Sequence, residues 1–126
     1  MSVELNHTIV HATDREATAE FLTSVLGLPH AARYGPFRVV TLSNGVSLDV
    51  MRSPAPIAPQ HYAFLVSDTE FDAIHARLSE RGLTYWADPM RREPGRINHH
   101  DGGRGLYWAA PDGHNLEIIT VPYGGG

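Results

Sequence analysis

Along the chain, apolar positions follow two periods in turn, and the order of those periods occurs twice. The segment Leu5-Asn6-His7-Thr8-Ile9-Val10-His11 alternates as a strand does, with Leu5, His7, Ile9 and His11 on one face. After Thr13, Ala17, Phe21, Leu22 and Val25 recur at helical spacing, and Gly27 stops the helix. Short alternating runs follow, ending in Asn44-Gly45, a hairpin signal, and the strand Ser47-Leu48-Asp49-Val50-Met51. The pattern then restarts. His61-Tyr62-Ala63-Phe64-Leu65 is a strand, Phe71, Ile74 and Leu78 mark a helix ending near Gly82, and Asp112-Gly113 leads into Asn115-Leu116-Glu117-Ile118-Ile119.

This is an internal repeat. His7-Thr-Ile-Val-His-Ala-Thr13-Asp14-Arg-Glu16 recurs as His61-Tyr-Ala-Phe-Leu-Val-Ser67-Asp68-Thr-Glu70. In both copies a hydroxyl residue precedes a glutamate by three positions, so Thr13 with Glu16 and Ser67 with Glu70 are expected to form capping boxes. Each half thus reads strand, helix and three strands. The expected fold is α+β: two tandem βαβββ modules forming a cupped mixed sheet around a central cavity. The 126 residues make one domain, with module 1 over about 1–53, a proline-rich linker over about 54–59 and module 2 over about 60–123. The second half carries extra residues in the Arg-, Gly- and His-rich stretch from Met90 to Gly103, expected as a solvated loop or a mobile lid. The Gly124–Gly126 tail is expected to fray.

Composition narrows the chemistry. The absence of cysteine removes disulfides, thiolate ligands and cysteine nucleophiles, so any metal site must use the eight histidines or the carboxylates. A formal charge of −4 points away from nucleic acid and anionic membranes. No membrane-length apolar run and no signal segment is visible, so a cytoplasmic protein acting on a small molecule is expected.

Strand alternation sends the all-apolar faces toward the helices and leaves His7, Asp49, His61 and Glu117 on the opposite faces. Each half contributes one histidine at the start of its first strand and one carboxylate in its last. Two imidazoles and one or two carboxylates suit a divalent ion such as Zn, Ni, Mn or Fe(II), with positions left for substrate oxygens. Singly, each residue reads as an ordinary strand residue; four at matched points of a repeat read as a ligand set. Glu117 and Asp49 are also candidates for proton transfer. His11, Arg104 and whichever of Tyr107 and Trp108 faces inward are candidates for substrate contact. His114, beside a turn, is expected to be exposed.

The pattern His7…Asp14, Phe21…Leu26-Gly27-Leu28, His61…Asp68 and Pro111-Asp112-Gly113-His114-Asn115-Leu116-Glu117 resembles the vicinal-oxygen-chelate superfamily of glyoxalases, bleomycin-resistance proteins and extradiol dioxygenases. The resemblance covers nearly the whole chain. It implies paired βαβββ modules, a cavity often completed by homodimerisation, and a metal triad at His7, His61 and Glu117. Asp49 matches the fourth ligand of glyoxalase I enzymes, normally a glutamate, and is one methylene shorter. Fosfomycin-resistance members share the triad, but Ile9 stands where they carry a threonine, and the chain ends soon after Glu117, which points away from that substrate. The expected activity is that of a metal-dependent lyase, isomerase or oxygenase acting on adjacent oxygens. The alternative is a non-catalytic resistance protein sequestering an aromatic antibiotic or a flavin-like ligand.

Overall fold

The computed structural model describes residues 2–125; Met1 and Gly126, the last residue of the glycine tail, lie outside it. The element order is β1(His7–Ala12), α1(Arg15–Leu26), β2(Ala32–Tyr34), β3(Phe37–Thr41), β4(Ser47–Arg52), β5(His61–Leu65), α2(Asp68–Glu80), β6(Tyr85–Trp86), β7(Gly105–Ala109) and β8(Asn115–Ile119). Two compact units, residues 1–58 and 59–126, each hold one βαβββ sequence. The α+β class is as expected, with a separate four-stranded sheet in each unit.

In the first unit the strand order is β1-β4-β3-β2. β1 runs parallel to β4, pairing His7 with Ser47, Ile9 with Asp49 and His11 with Met51. The other pairings are antiparallel. A first and a last strand lying side by side need a crossover, and α1 supplies it. One sheet face buries Val10, Ala12, Val40, Leu48 and Val50, together with Ala19, Leu22 and Val25 of α1. The buried face keeps Leu22 and Val25 of the expected stripe, with Phe21 half-buried, but is shifted at its start. Ala17 is exposed, whereas Thr18 and Thr23 are buried. Thr23 makes this inexpensive by returning its hydroxyl to the carbonyl of Ala19 at 3.0 Å.

The start of α1 also differs from expectation. Asp14, not Thr13, is the N-cap, and its carboxylate accepts from Ala17 N at 3.1 Å. Glu16 thus stands two positions after the cap rather than three. Its carboxylate pairs with Arg38 of β3, so the helix is tied to the sheet. At the other end Gly27 adopts φ 71°, the left-handed conformation that closes a helix with little steric cost in glycine.

The second unit repeats the plan with order β5-β8-β7-β6. β5 is parallel to β8, pairing His61 with Asn115 and Ala63 with Glu117. Here the capping box forms: Ser67 Oγ accepts from Glu70 N at 3.1 Å, and Glu70 Oε1 accepts from Ser67 N at 3.0 Å. The core holds Phe71, Ile74 and Leu78 of α2 with Leu106, Trp108, Leu116 and Ile118 of the sheet.

The extra residues of this half form a long excursion between β6 and β7 that is stapled rather than free. Asp88 accepts from the backbone N–H groups of Arg92 and Glu93 at 2.9 Å each. Bridges join Trp86 to Pro94 and Asn98 to Gly105. The amide of Asn98 donates to Ala87 O at 2.8 Å. Gly105 is required there, since a Cβ would lie 2.8 Å from Asn98 Oδ1. These bonds tie the excursion back to the second unit along its length.

His114 is a second correction. It is 1% exposed, its Nδ1 accepts from the backbone N–H of Gln60 at 3.0 Å, and its ring meets Tyr62 edge-on at 5.9 Å. Asp112 and Gly113, at φ 69° and 82°, reverse the chain tightly enough to turn the imidazole inward. There it satisfies a backbone donor that would otherwise be orphaned.

Candidate functional site

In the second unit, register decides which side chains meet. The pairs Trp86 with Tyr107, Tyr107 with Glu117, and Glu117 with Ala63 form one row across the sheet. Directly paired residues share a face, so this row lies on the face opposite the core. His61 and Asn115, also paired, lie one step along the same face.

The register brings His61 onto Glu117. Nε2 lies 2.9 Å from Oε1, with the imidazole half exposed and the carboxylate side chain only 9% exposed. Glu117 is thus a nearly buried acid in contact with an imidazole. The Tyr107 phenol is hydrogen-bonded to the same carboxylate. Burial, then that bond and the negative charge of Glu117, hold the phenol protonated far above its ordinary range, so it remains a donor. The rings of His61 and Tyr107 are tilted, with centroids 6.0 Å apart. Beside this cluster lies a concavity of about 460 Å³ whose walls include Glu117, Tyr107, Asn98, His100, Asp101 and Tyr123.

Trp108 is 2% exposed and belongs to the core, so of the two neighbouring aromatics only Tyr107 is available to a ligand. Arg104 also borders the concavity. Its guanidinium, however, is bonded to Asp72 at 2.8 Å and Asp68 at 3.0 Å of α2 and lies 4.4 Å over the Phe71 ring. A substrate would have to compete with two carboxylates for it.

The first unit presents His7 and Asp49 on the wall of a second concavity, of about 500 Å³, with Asn6, Ile9, Tyr34 and Phe37. His7 Nδ1 is 2.8 Å from the Asn6 side-chain oxygen. An amide oxygen only accepts, so Nδ1 is the donor, and in the neutral imidazole Nε2 is the nitrogen with the lone pair. Asp49 Oδ1 accepts from Ser47 Oγ at 2.8 Å. His11, paired with Met51 farther along β1, is exposed and not part of that wall.

The structure thus joins His61 to Glu117, and places His7 near Asp49 on one wall. Among the described residues of a single chain, no group of three or more such side chains is assembled. As a half-site, the second unit fits a metal ion well. Two ligands at about 2.0–2.2 Å from one ion are separated by roughly 3 Å, close to the 2.9 Å between Nε2 and Oε1. Tyr107 bonds the carboxylate from behind, as residues supporting metal ligands do. Sequence reasoning passed over Asn6 and Ser47, which orient His7 and Asp49. Their signal was adjacency: a polar side chain one or two positions before each candidate.

The model of the Glyoxalase/Bleomycin resistance protein/Dioxygenase superfamily matches residues 4–118. The chain belongs to that superfamily. Within it, the chain is 63% identical to the solved structure named Oxidase ChaP-H1, covering 98% of this chain and 100% of that one at a TM-score of 0.96. Oxidase ChaP-H2 is 61% identical with complete coverage of both chains and the same TM-score. A more distant superfamily relative is the protein named Glutathione transferase FosA from Serratia marcescens, 29% identical over 126 residues, which are 94% of this chain and 81% of that protein.

Proposed function

We propose that this protein is a metal-dependent oxidase or oxygenase acting on a small molecule with adjacent oxygens. The observation that carries the reading is the His61–Glu117 contact, with Tyr107 donating to the nearly buried carboxylate. It occurs in a chain 63% identical to a protein named an oxidase. His61 Nε2 and Glu117 are two ligands. His7 Nε2, freed by the bond from Nδ1 to Asn6, is the third, supplied by the first unit of the same chain or of a second copy in a homodimer. Asp49 is an optional fourth, short of reach by one methylene. A divalent ion held there supplies Lewis acidity to two vicinal oxygens of the substrate and a site for dioxygen.

The remaining work falls to the chain. His61 and Glu117 would hold the ion in place of their mutual hydrogen bond, with the Tyr107 hydroxyl still bonded to the carboxylate. In this reading Asp49, steadied at Oδ1 by Ser47, accepts a proton from a substrate hydroxyl. Among the described residues no helix is long and apolar enough to cross a membrane.

Calorimetric titration of the apoprotein with Zn, Ni, Mn and Fe(II) tests the ligand set. Glu117→Ala and His61→Ala are expected to abolish tight binding, and Asp49→Ala to weaken it less. Oxygen uptake that stops with chelator and returns with metal supports catalysis. Metal-free protein that retains an intact planar ligand would instead establish sequestration.

A further inference from the structure

Arg91 sits in the long excursion with φ 59°, a left-handed backbone rare for a long side chain. Strain of this kind persists where surrounding contacts over-determine it, and here those contacts are visible. The guanidinium lies 4.9 Å over the Trp86 ring, and Nη2 donates to Asn115 Oδ1 at 3.0 Å. Both holders are neutral. Arg38 and Arg104, by contrast, are matched to carboxylates. Among the described residues Arg91 has no carboxylate partner within ion-pair distance, so a cation has been immobilised without being neutralised.

Its holders place it. Asn115 pairs directly with His61 and lies two residues from Glu117 on the same face of β8, a spacing of about 6.6 Å. Trp86 pairs with Tyr107, whose phenol is bonded to Glu117. Arg91 therefore borders the His61–Glu117 cluster through one bonded side chain, and the rings of Trp86 and Tyr107 lie in the row between them. The net charge of −4 does nothing to attract an anion in general, so recognition of a negative group at this face must come from a local, fixed cation. A guanidinium already lying on an aromatic ring is weakly hydrated and presents its remaining donors in a fork suited to carboxylate or phenolate oxygen.

We infer that Arg91 is the specificity-determining residue for substrate. It takes the anionic oxygen of an acidic aromatic molecule whose ring lies along Tyr107 and whose reacting end reaches His61 and Glu117. This inference rests on the proposed function for the reacting end only. It is tested with naphthoate and uncharged naphthamide, which share a ring and lack adjacent hydroxyls. Calorimetry on the purified protein, with and without metal, is expected to give naphthoate an advantage of about tenfold, the effect of one charge-assisted contact. Arg91→Asn keeps a residue tolerant of left-handed backbone. It should erase that advantage while leaving naphthamide binding unchanged. Arg91→Lys should keep part of it, because the charge remains and the fork is lost. A wild type that does not distinguish the probes, or an advantage that survives in Arg91→Asn, overturns the inference. Because neither probe chelates, an advantage seen in protein that binds no metal supports Arg91 and sinks the metal reading alone.

Discussion

Tyr107 shows what a single residue contributes beyond its type. Its hydroxyl is hydrogen-bonded to the same Glu117 carboxylate that His61 contacts. Partners standing behind a metal ligand typically change metal affinity by about 10–100-fold when removed. Tyr107→Phe is therefore expected to weaken divalent-metal binding at least about tenfold without abolishing it, measured by calorimetry. The same substitution should leave the fold intact by circular dichroism, because the ring stays and only the hydroxyl goes. If affinity is unchanged, Tyr107 has no hold on Glu117. Tyr107 was already a candidate from sequence, since alternation sends Tyr107 and Trp108 to opposite faces. Which of the two faced the core could not be read there. The larger, more apolar indole took the buried side at 2% exposure.

Among the elements, the two helix starts look alike in sequence and differ in the structure. Ser67 and Glu70 complete a reciprocal box, whereas Thr13 leaves the cap to Asp14. Removing an N-cap side chain costs about 1 kcal/mol. Chemical denaturation should accordingly show a loss near that size for Ser67→Ala and for Asp14→Ala, and little for Thr13→Ala. A comparable loss at Thr13 would restore the repeated box.

The box also gives a pH dependence. Hydrogen bonds from the Ser67 backbone and side chain hold the Glu70 carboxyl below its usual value of 4.5. A carboxylate stabilised in the folded state contributes above its unfolded value and loses that contribution as pH falls through its folded one. The stability difference between wild type and Glu70→Gln should thus be constant near neutrality and shrink below about pH 4.5. Melting curves across that range check it. The box in α2 was legible because both partners are local in sequence. In α1, Glu16 pairs with Arg38, from a strand 22 residues away.

For the whole molecule, each sheet leaves one face incompletely covered. Ile9 in the first unit and Leu65 in the second are 41% and 61% exposed, and the proposed ligands His7, Asp49, His61 and Glu117 stand on those same faces. Exposed apolar side chains beside the proposed ligands favour a second copy as the cover, in closed two-fold assembly. Light scattering after size exclusion is expected to give about twice the 13.9 kDa of one chain. A monomer that nonetheless binds one metal tightly would show that a single chain completes the site.

The sequence alone determined the βαβββ order, the repeat and the faces bearing His7, Asp49, His61 and Glu117. These follow from periodicity and capping chemistry, which act over a few residues. Tertiary structure decided what depends on partners distant in sequence. Register set Glu117 against His61, across 56 positions. A buried backbone donor drew His114 inward, two carboxylates of α2 occupied Arg104, and Asn98 fixed the long excursion to Ala87. Arg91 shows the division most plainly. In sequence it is one arginine among several in a polar stretch. An aromatic ring and an amide, 5 and 24 positions away, make it a fixed charge beside the site.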